Sequence, residues 1–142
     1  MKISARNILS GTVSEVNTGK VMSIVKLSLK GGNVLTSTIT NESVERLGLK
    51  SGTSAYAIIK ASSVMIGRGM DGVNISARNI IKGKVQKIKE GMVMAEVVLD
   101  MGEGSIISAT ISDESVKRLN LKTGEEVYAV IKATSVMLGI AE

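Results

Sequence analysis

The chain has 142 residues, room for one ordinary domain or two very small ones, with no Cys, His, Pro, Trp or Phe and a net charge of +5. Lacking thiols and imidazoles, it can hold no disulfide framework, no zinc on its usual soft ligands, no cysteine nucleophile and no Ser-His-Asp triad. At 44% hydrophobic and 22% charged it is too apolar for disorder, and no apolar run approaches the ~18 residues of a membrane-spanning helix.

The opening residues Met1-Lys2-Ile3-Ser4 are polar where a secretory signal needs its apolar core, so a cytoplasmic protein without a membrane partner is expected. Next comes Ser4-Ala5-Arg6-Asn7. In a strand, residues two apart share a face, which would align the Ser4 hydroxyl with the Arg6 guanidinium as a donor pair for an oxyanion. A lone Ser-x-Arg would be no more than a surface strand. Val21 to Leu29 alternates apolar with polar, the period of a half-buried strand, and Gly19, Gly31, Gly32 and Gly52 punctuate the pattern.

A single helical signal follows. Thr40 can cap the segment Asn41–Leu47, with Ser43 in its first turn and Gly48 suited to a left-handed exit. The free N–H groups of such a start attract anions, although ordinary capping accounts for much of the pattern. The apolar run Ala57–Ile66 predicts one long last strand, with Lys60 and Ala61 inside it. A lysine there either snorkels to water or holds a counter-charge.

The same order then begins again. Residues 3–67 align without gaps on residues 75–139, and about half of the aligned positions are identical. ISARNILSGTV is matched by ISARNIIKGKV, TITNESVERLGLKSG by TISDESVKRLNLKTG, and AYAIIKASSVMIG by YAVIKATSVMLG. The expected organisation is a first module over 1–67, a glycine-bearing linker over 68–74 and a second module over 75–142. Each module reads as short strands with one short helix, so the predicted fold class is all-β: two tandem, OB-fold-like small barrels. A module of that size buries only ~60% of its surface, and with no disulfide or metal it is expected to associate with its neighbour and with further chains.

The repeat lifts the candidate residues above coincidence. Ser4, Ala5 and Arg6 return as Ser76, Ala77 and Arg78; Thr40 and Ser43 as Ser112 and Ser115; Lys60 and Ala61 as Lys132 and Ala133. Only Glu42 and Glu114 form an acidic pair kept in both copies. These groups offer hydroxyl, guanidinium, ammonium and amide donors with hardly an acceptor among them. A fully deprotonated tetrahedral dianion presents acceptors only and is satisfied; hydrogen phosphate keeps a proton that needs an acceptor, a mismatch of about 1–3 kcal/mol. The basic surplus is uneven, 8 basic and 3 acidic residues over 1–67 against 9 and 8 over 75–139. A nucleic-acid-binding barrel is the alternative, but Tyr56 and Tyr128 are the only aromatics and make a poor stacking platform. An accessory module delivering an oxyanion to a transporter or regulator is a further one. No activated nucleophile or general base points to an enzyme.

SARN opening each copy, the [TS]-x-x-S-V-x-R-L helix and K-A-[ST]-S-V near each end resemble the molbindin (Mop) family of small molybdate-binding modules, in its tandem, two-module type. The resemblance covers essentially the whole chain. It implies a Mop/TOBE-type fold, no enzymatic activity, no cofactor or directly ligated metal cation, and cytoplasmic storage or homeostasis of molybdate, with tungstate as a competing ligand. It also implies homo-oligomerisation, as a trimer, with the oxyanion held between modules. One site type would use Ser4, Ala5, Arg6, Lys60 and Ala61, with Thr40 and Ser43 or Ser112 and Ser115 from the facing module. Its sister would use Ser76, Ala77, Arg78, Lys132 and Ala133. The family's further sites on the threefold axis lie near G-x-V-N-A-E-V, where this chain has Met22 and Met94 in place of the amide. A thioether cannot donate to an oxyanion, so axial sites of the usual form are not expected.

Overall fold

The structure, a computed structural model, describes residues 1–141. The first copy runs β1 (Asn7–Thr18), β2 (Met22–Leu29), β3 (Val34–Thr40), α1 (Asn41–Leu47), β4 (Ser54–Ile59) and β5 (Met65–Gly67). The second repeats it as β6 (Asn79–Glu90), β7 (Met94–Asp100), β8 (Ile106–Ser112), α2 (Asp113–Arg118), β9 (Glu126–Ile131) and β10 (Met137–Gly139). The all-β expectation with one short helix per copy is met. None of the described helices is long and apolar enough to cross a membrane.

Alternation puts Val25, Leu27 and Leu29 of β2 on the core face, and Ala95, Val97 and Leu99 of β7 on the equivalent one. Val13, Leu35 and Ile59 close over the first set, Val85, Ile107 and Ile131 over the second. Each Val, Leu or Ile among them contributes about 1.5–3 kcal/mol on burial, and Leu27→Ala would cost about 2–5 kcal/mol. β1 passes close against β2 at Gly11, where a Cβ would lie 2.6 Å from the Ser28 carbonyl oxygen. That approach is open only to glycine, and a register shift between Val13 and Glu15 marks the bulge beyond it.

The helices are capped as the sequence predicts. The Thr40 hydroxyl accepts from the Ser43 N–H at 3.1 Å, and Ser112 does the same for Ser115. Gly48 (φ 65°) and Asn120 (φ 52°) take the left-handed exits.

The two sheets do not coincide with the two copies. Their strand orders are β10-β4-β1-β2-β3 and β5-β9-β6-β7-β8, so each copy sends its last strand to complete the other's sheet. Met65–Gly67 pairs with Tyr128–Val130, and Met137–Gly139 with Tyr56–Ile58. The run Ala57–Ile66 is therefore not one strand. β1 starts at Asn7, opposite Ile59, and offers no pairing further on. The chain consequently leaves the sheet at Lys60, makes a 3-10 turn over Ala61–Ser63 and crosses to the other copy.

Ser4–Arg6 likewise precedes β1 rather than lying within it, for want of the same partner. The linker is docked on the second copy. Arg68 donates to the carbonyls of Leu119 (2.8 Å) and Asn120 (3.1 Å) and to the Glu125 carboxylate, while the Tyr128 hydroxyl donates to Asp71.

Candidate functional site

Asn7 and Asn79 position the site. Each is 2% exposed at the head of its copy's first strand. The Asn7 side-chain amide donates to the Ser108 carbonyl at 2.8 Å and accepts from the Ser108 N–H at 2.7 Å. Asn79 does the same to Thr36 at 2.8 and 2.7 Å. Each asparagine thus imitates a strand pairing on the free edge of the opposite copy's third strand, satisfying groups that would otherwise be buried and unpaired. Fixing Asn7 pins the preceding Ser4-Ala5-Arg6 against the facing copy.

That segment meets the crossover turn. Residues Ser4, Ala5, Arg6, Lys60, Ala61 and Ser62 line a cavity of about 340 Å³, closed from the second copy by Thr110 of β8 and by Met137. The turn bonds Ser63 N–H to the Lys60 carbonyl (2.9 Å) and Val64 N–H to that of Ala61 (3.3 Å), leaving the Ala61 and Ser62 N–H groups with no partner inside the turn. The Lys60 side chain is exposed and forms no ion pair among the described residues. Hydroxyl, guanidinium, ammonium and amide donors from one copy therefore converge on a threonine from the other. In the second copy Asn79 makes the same pair of bonds to Thr36 of β3, just after Ser76, Ala77 and Arg78, and Lys132 is exposed and Ala133 buried at an equivalent 3-10 turn.

The helix-start residues stand apart. Thr40 and Ser43 bond each other at 2.9 Å, and neither lines this cavity. Ser112 and Ser115, mutually bonded at 2.9 Å, line a neighbouring cavity of about 420 Å³ that shares Ser62 and Thr110 with the first. A larger open groove of about 700 Å³ runs between β1 and Gly104–Ile106, but Lys30 is its one charged side chain, so it gathers no set of donors.

Three polar residues at the site were not singled out from sequence. Ser62 and Thr110 join the cavity, and Thr110 with Thr38 is an identical pair that the repeat could have revealed. The third is Glu96, whose carboxylate lies 2.6 Å from the Arg6 guanidinium and brings an acceptor to a site expected to hold donors alone. No group of three or more acidic residues able to hold a metal cation occurs among the described residues.

The TOBE domain family matches the chain twice, over residues 3–66 and 75–138. The chain belongs to the TOBE family, as a tandem, two-module protein of the Mop type. This tandem TOBE chain superposes with a TM-score of 0.96 on the molybdate-bound form of ModG, described as a cytoplasmic molybdate-binding protein, at 42% identity over 99% of this chain and 100% of that one. It is 39% identical over 140 residues to the molybdenum-pterin-binding protein MopA of Rhodobacter capsulatus, and 34% identical over 142 residues to the molybdenum transport protein ModE of Herbaspirillum seropedicae. In both, the chain spans about half of the relative's length, 53%. A probable molybdenum-pterin-binding protein of Haemophilus influenzae is 54% identical over 68 residues, 48% of this chain and 99% of its own.

Proposed function

We propose that this tandem TOBE protein binds molybdate reversibly at the seams between its copies and serves to store or buffer the oxyanion in the cytoplasm. The observation that carries the reading is the cavity where Ser4, Arg6, Lys60 and the Ala61–Ser62 turn of one copy meet Thr110 of the other. Its donors suit a ligand that only accepts, and charge-assisted hydrogen bonds are the strong ones. The Arg6 and Lys60 charges approach from two sides, while the threonine hydroxyl and the turn N–H groups supply neutral donors. The 0.96 TM-score to a molybdate-bound protein over the full chain supports the same ligand. Tungstate, with the same charge and shape, is the competing ligand. The site binds rather than transforms, since its groups include no activated nucleophile. Exposed apolar residues at the hairpin tips, Val21, Met22, Met92 and Val93, support further association into a trimer.

Calorimetric titration with molybdate, tungstate, sulfate and phosphate tests the reading. Saturable uptake of molybdate and tungstate at micromolar concentration, with sulfate and phosphate far weaker, is the expected result. No uptake of molybdate at that concentration would overturn it.

A further inference from the structure

The two copies carry the same candidate donors, yet the strand rows opposite them differ. On the second copy, Glu96 of β7 is register-paired with Lys89 on one side and Thr110 on the other. On the first copy, the equivalent row is Asn17, Ile24 and Thr38. Because Asn7 and Asn79 grip their opposite strands with the same pair of bonds, Arg6 approaches the row containing a carboxylate and Arg78 the row containing an isoleucine. Arg6 is ion-paired to Glu96 at 2.6 Å, whereas Arg78 has no ion pair among the described residues.

We propose that Glu96 is an internal competitor for the oxyanion: it occupies Arg6 in the empty seam, so the chain carries a weaker anion site at Arg6 and a tighter one at Arg78. This rests on the molybdate reading above, and divides its site into two classes.

The geometry allows the exchange. Arg6, Glu96, Lys89 and Thr110 line a cavity of about 360 Å³ that shares Arg6 and Thr110 with the candidate oxyanion cavity. The Arg6 side chain is 60% exposed and that of Glu96 22%, so the guanidinium is the partner free to turn while the carboxylate stays on its strand. With Arg6 turned to a dianion, Glu96 remains as a like charge beside it. Among the described residues Arg78 has no ion pair to break, and its row carries Ile24 where the other carries Glu96; the Glu15 carboxylate beside that row is already held by Asn17 at 2.6 Å and by Lys26 at 3.7 Å.

Calorimetric titration of the full chain with sodium molybdate, on the unaltered protein and on Glu96→Gln and Ile24→Glu, tests the proposal. Expected are two affinity classes in the unaltered chain and, in Glu96→Gln, a weaker class tightened by roughly threefold or more with the tighter one unmoved, the size set by losing a half-exposed ion pair and a like charge. In Ile24→Glu the tighter class should weaken by a comparable factor. Position 24 is half-buried on the face of β2 away from the core, as Glu96 is on β7, so neither variant cuts into the core. Unchanged constants in either variant, or weaker binding in Glu96→Gln, would overturn the proposal and leave Glu96 as a tie between the copies. Absence of any molybdate uptake by the unaltered chain would instead refute the parent reading.

Discussion

The Asn7 side-chain amide and the Ser108 backbone exchange two hydrogen bonds, at 2.7 and 2.8 Å, across 101 residues of sequence. The bridge links the first strand of one copy to the third strand of the other without any continuous ladder between them. Asn7→Ala leaves the Ser108 N–H and carbonyl with no partner in a part-buried seam, an expected loss of about 2–3 kcal/mol. Asn7→Asp keeps the shape but sets a carboxylate oxygen against the Ser108 carbonyl, and is expected to cost as much. Urea unfolding midpoints measure both. A loss below about 0.5 kcal/mol for Asn7→Ala would show that water replaces the bridge.

The ammonium groups of Lys60 and Lys132 test the seams directly. Lys60→Met combined with Lys132→Met removes one charged donor from each, an interaction worth about 1.5–3 kcal/mol, so molybdate affinity should fall by about tenfold or more in both classes. Both lysines are exposed, so folding should be unaffected. Unchanged molybdate capacity and affinity, followed by equilibrium dialysis, would place the ligand elsewhere.

One orphan atom marks a point where the copies have diverged. Asp113 Oδ1 is buried without a hydrogen-bond partner, whereas its counterpart Asn41 accepts from the Ser23 hydroxyl and donates to the Gly19 carbonyl at 2.9 Å. The surrounding backbone is the same in both, with Asp113 N–H on Val93 and Asn41 N–H on Val21 at 2.8 Å. Asp113→Asn together with Ala95→Ser rebuilds the first copy's network and should raise stability by about 1 kcal/mol in thermal or urea unfolding.

The linker clamp carries a pH signature. The hydrogen bond from Arg68 holds the Glu125 carboxyl below its usual value of 4.5. A depressed folded-state value stabilises the fold fully above the unfolded pKa and is lost as the pH falls through the folded one. The stability difference between the unaltered chain and Arg68→Ala should therefore be constant from neutral pH down to about 5 and shrink below 4.5. It should not vanish, since Arg68 also holds the Leu119 and Asn120 carbonyls. Urea titrations at a series of pH values follow it.

Much of this architecture is legible in the residues. The period-2 alternation of Val21–Leu29 gives a strand, the Thr40 cap and Gly48 exit bracket a helix, and the gapless repeat predicts a second copy of everything. The strand exchange is not legible, for a physical reason. Met65–Gly67 and Met137–Gly139 differ by one methyl rearrangement, Ile66 against Leu138, so either could pair with either partner strand and the local pattern would be the same. What decides between them is the turn at Lys60, set by where β1 begins. Glu96 was hidden in the same way: its partner Arg6 lies 90 positions away in the other copy, and no local pattern records that meeting. The Ser4-to-Arg6 grouping was recovered from a strand argument that the fold does not use, because both residues lie in the segment ahead of Asn7.

The crossed strands also make the duplication irreversible in a mechanical sense. A chain cut back to one copy keeps its terminal strand but loses the sheet that receives it, and its own fourth strand is left with an open edge. It can close only by trading strands with a second molecule, so folding that is unimolecular in the full chain becomes dependent on concentration. Joining the copies through residues 68–74 turns a bimolecular requirement into a covalent one.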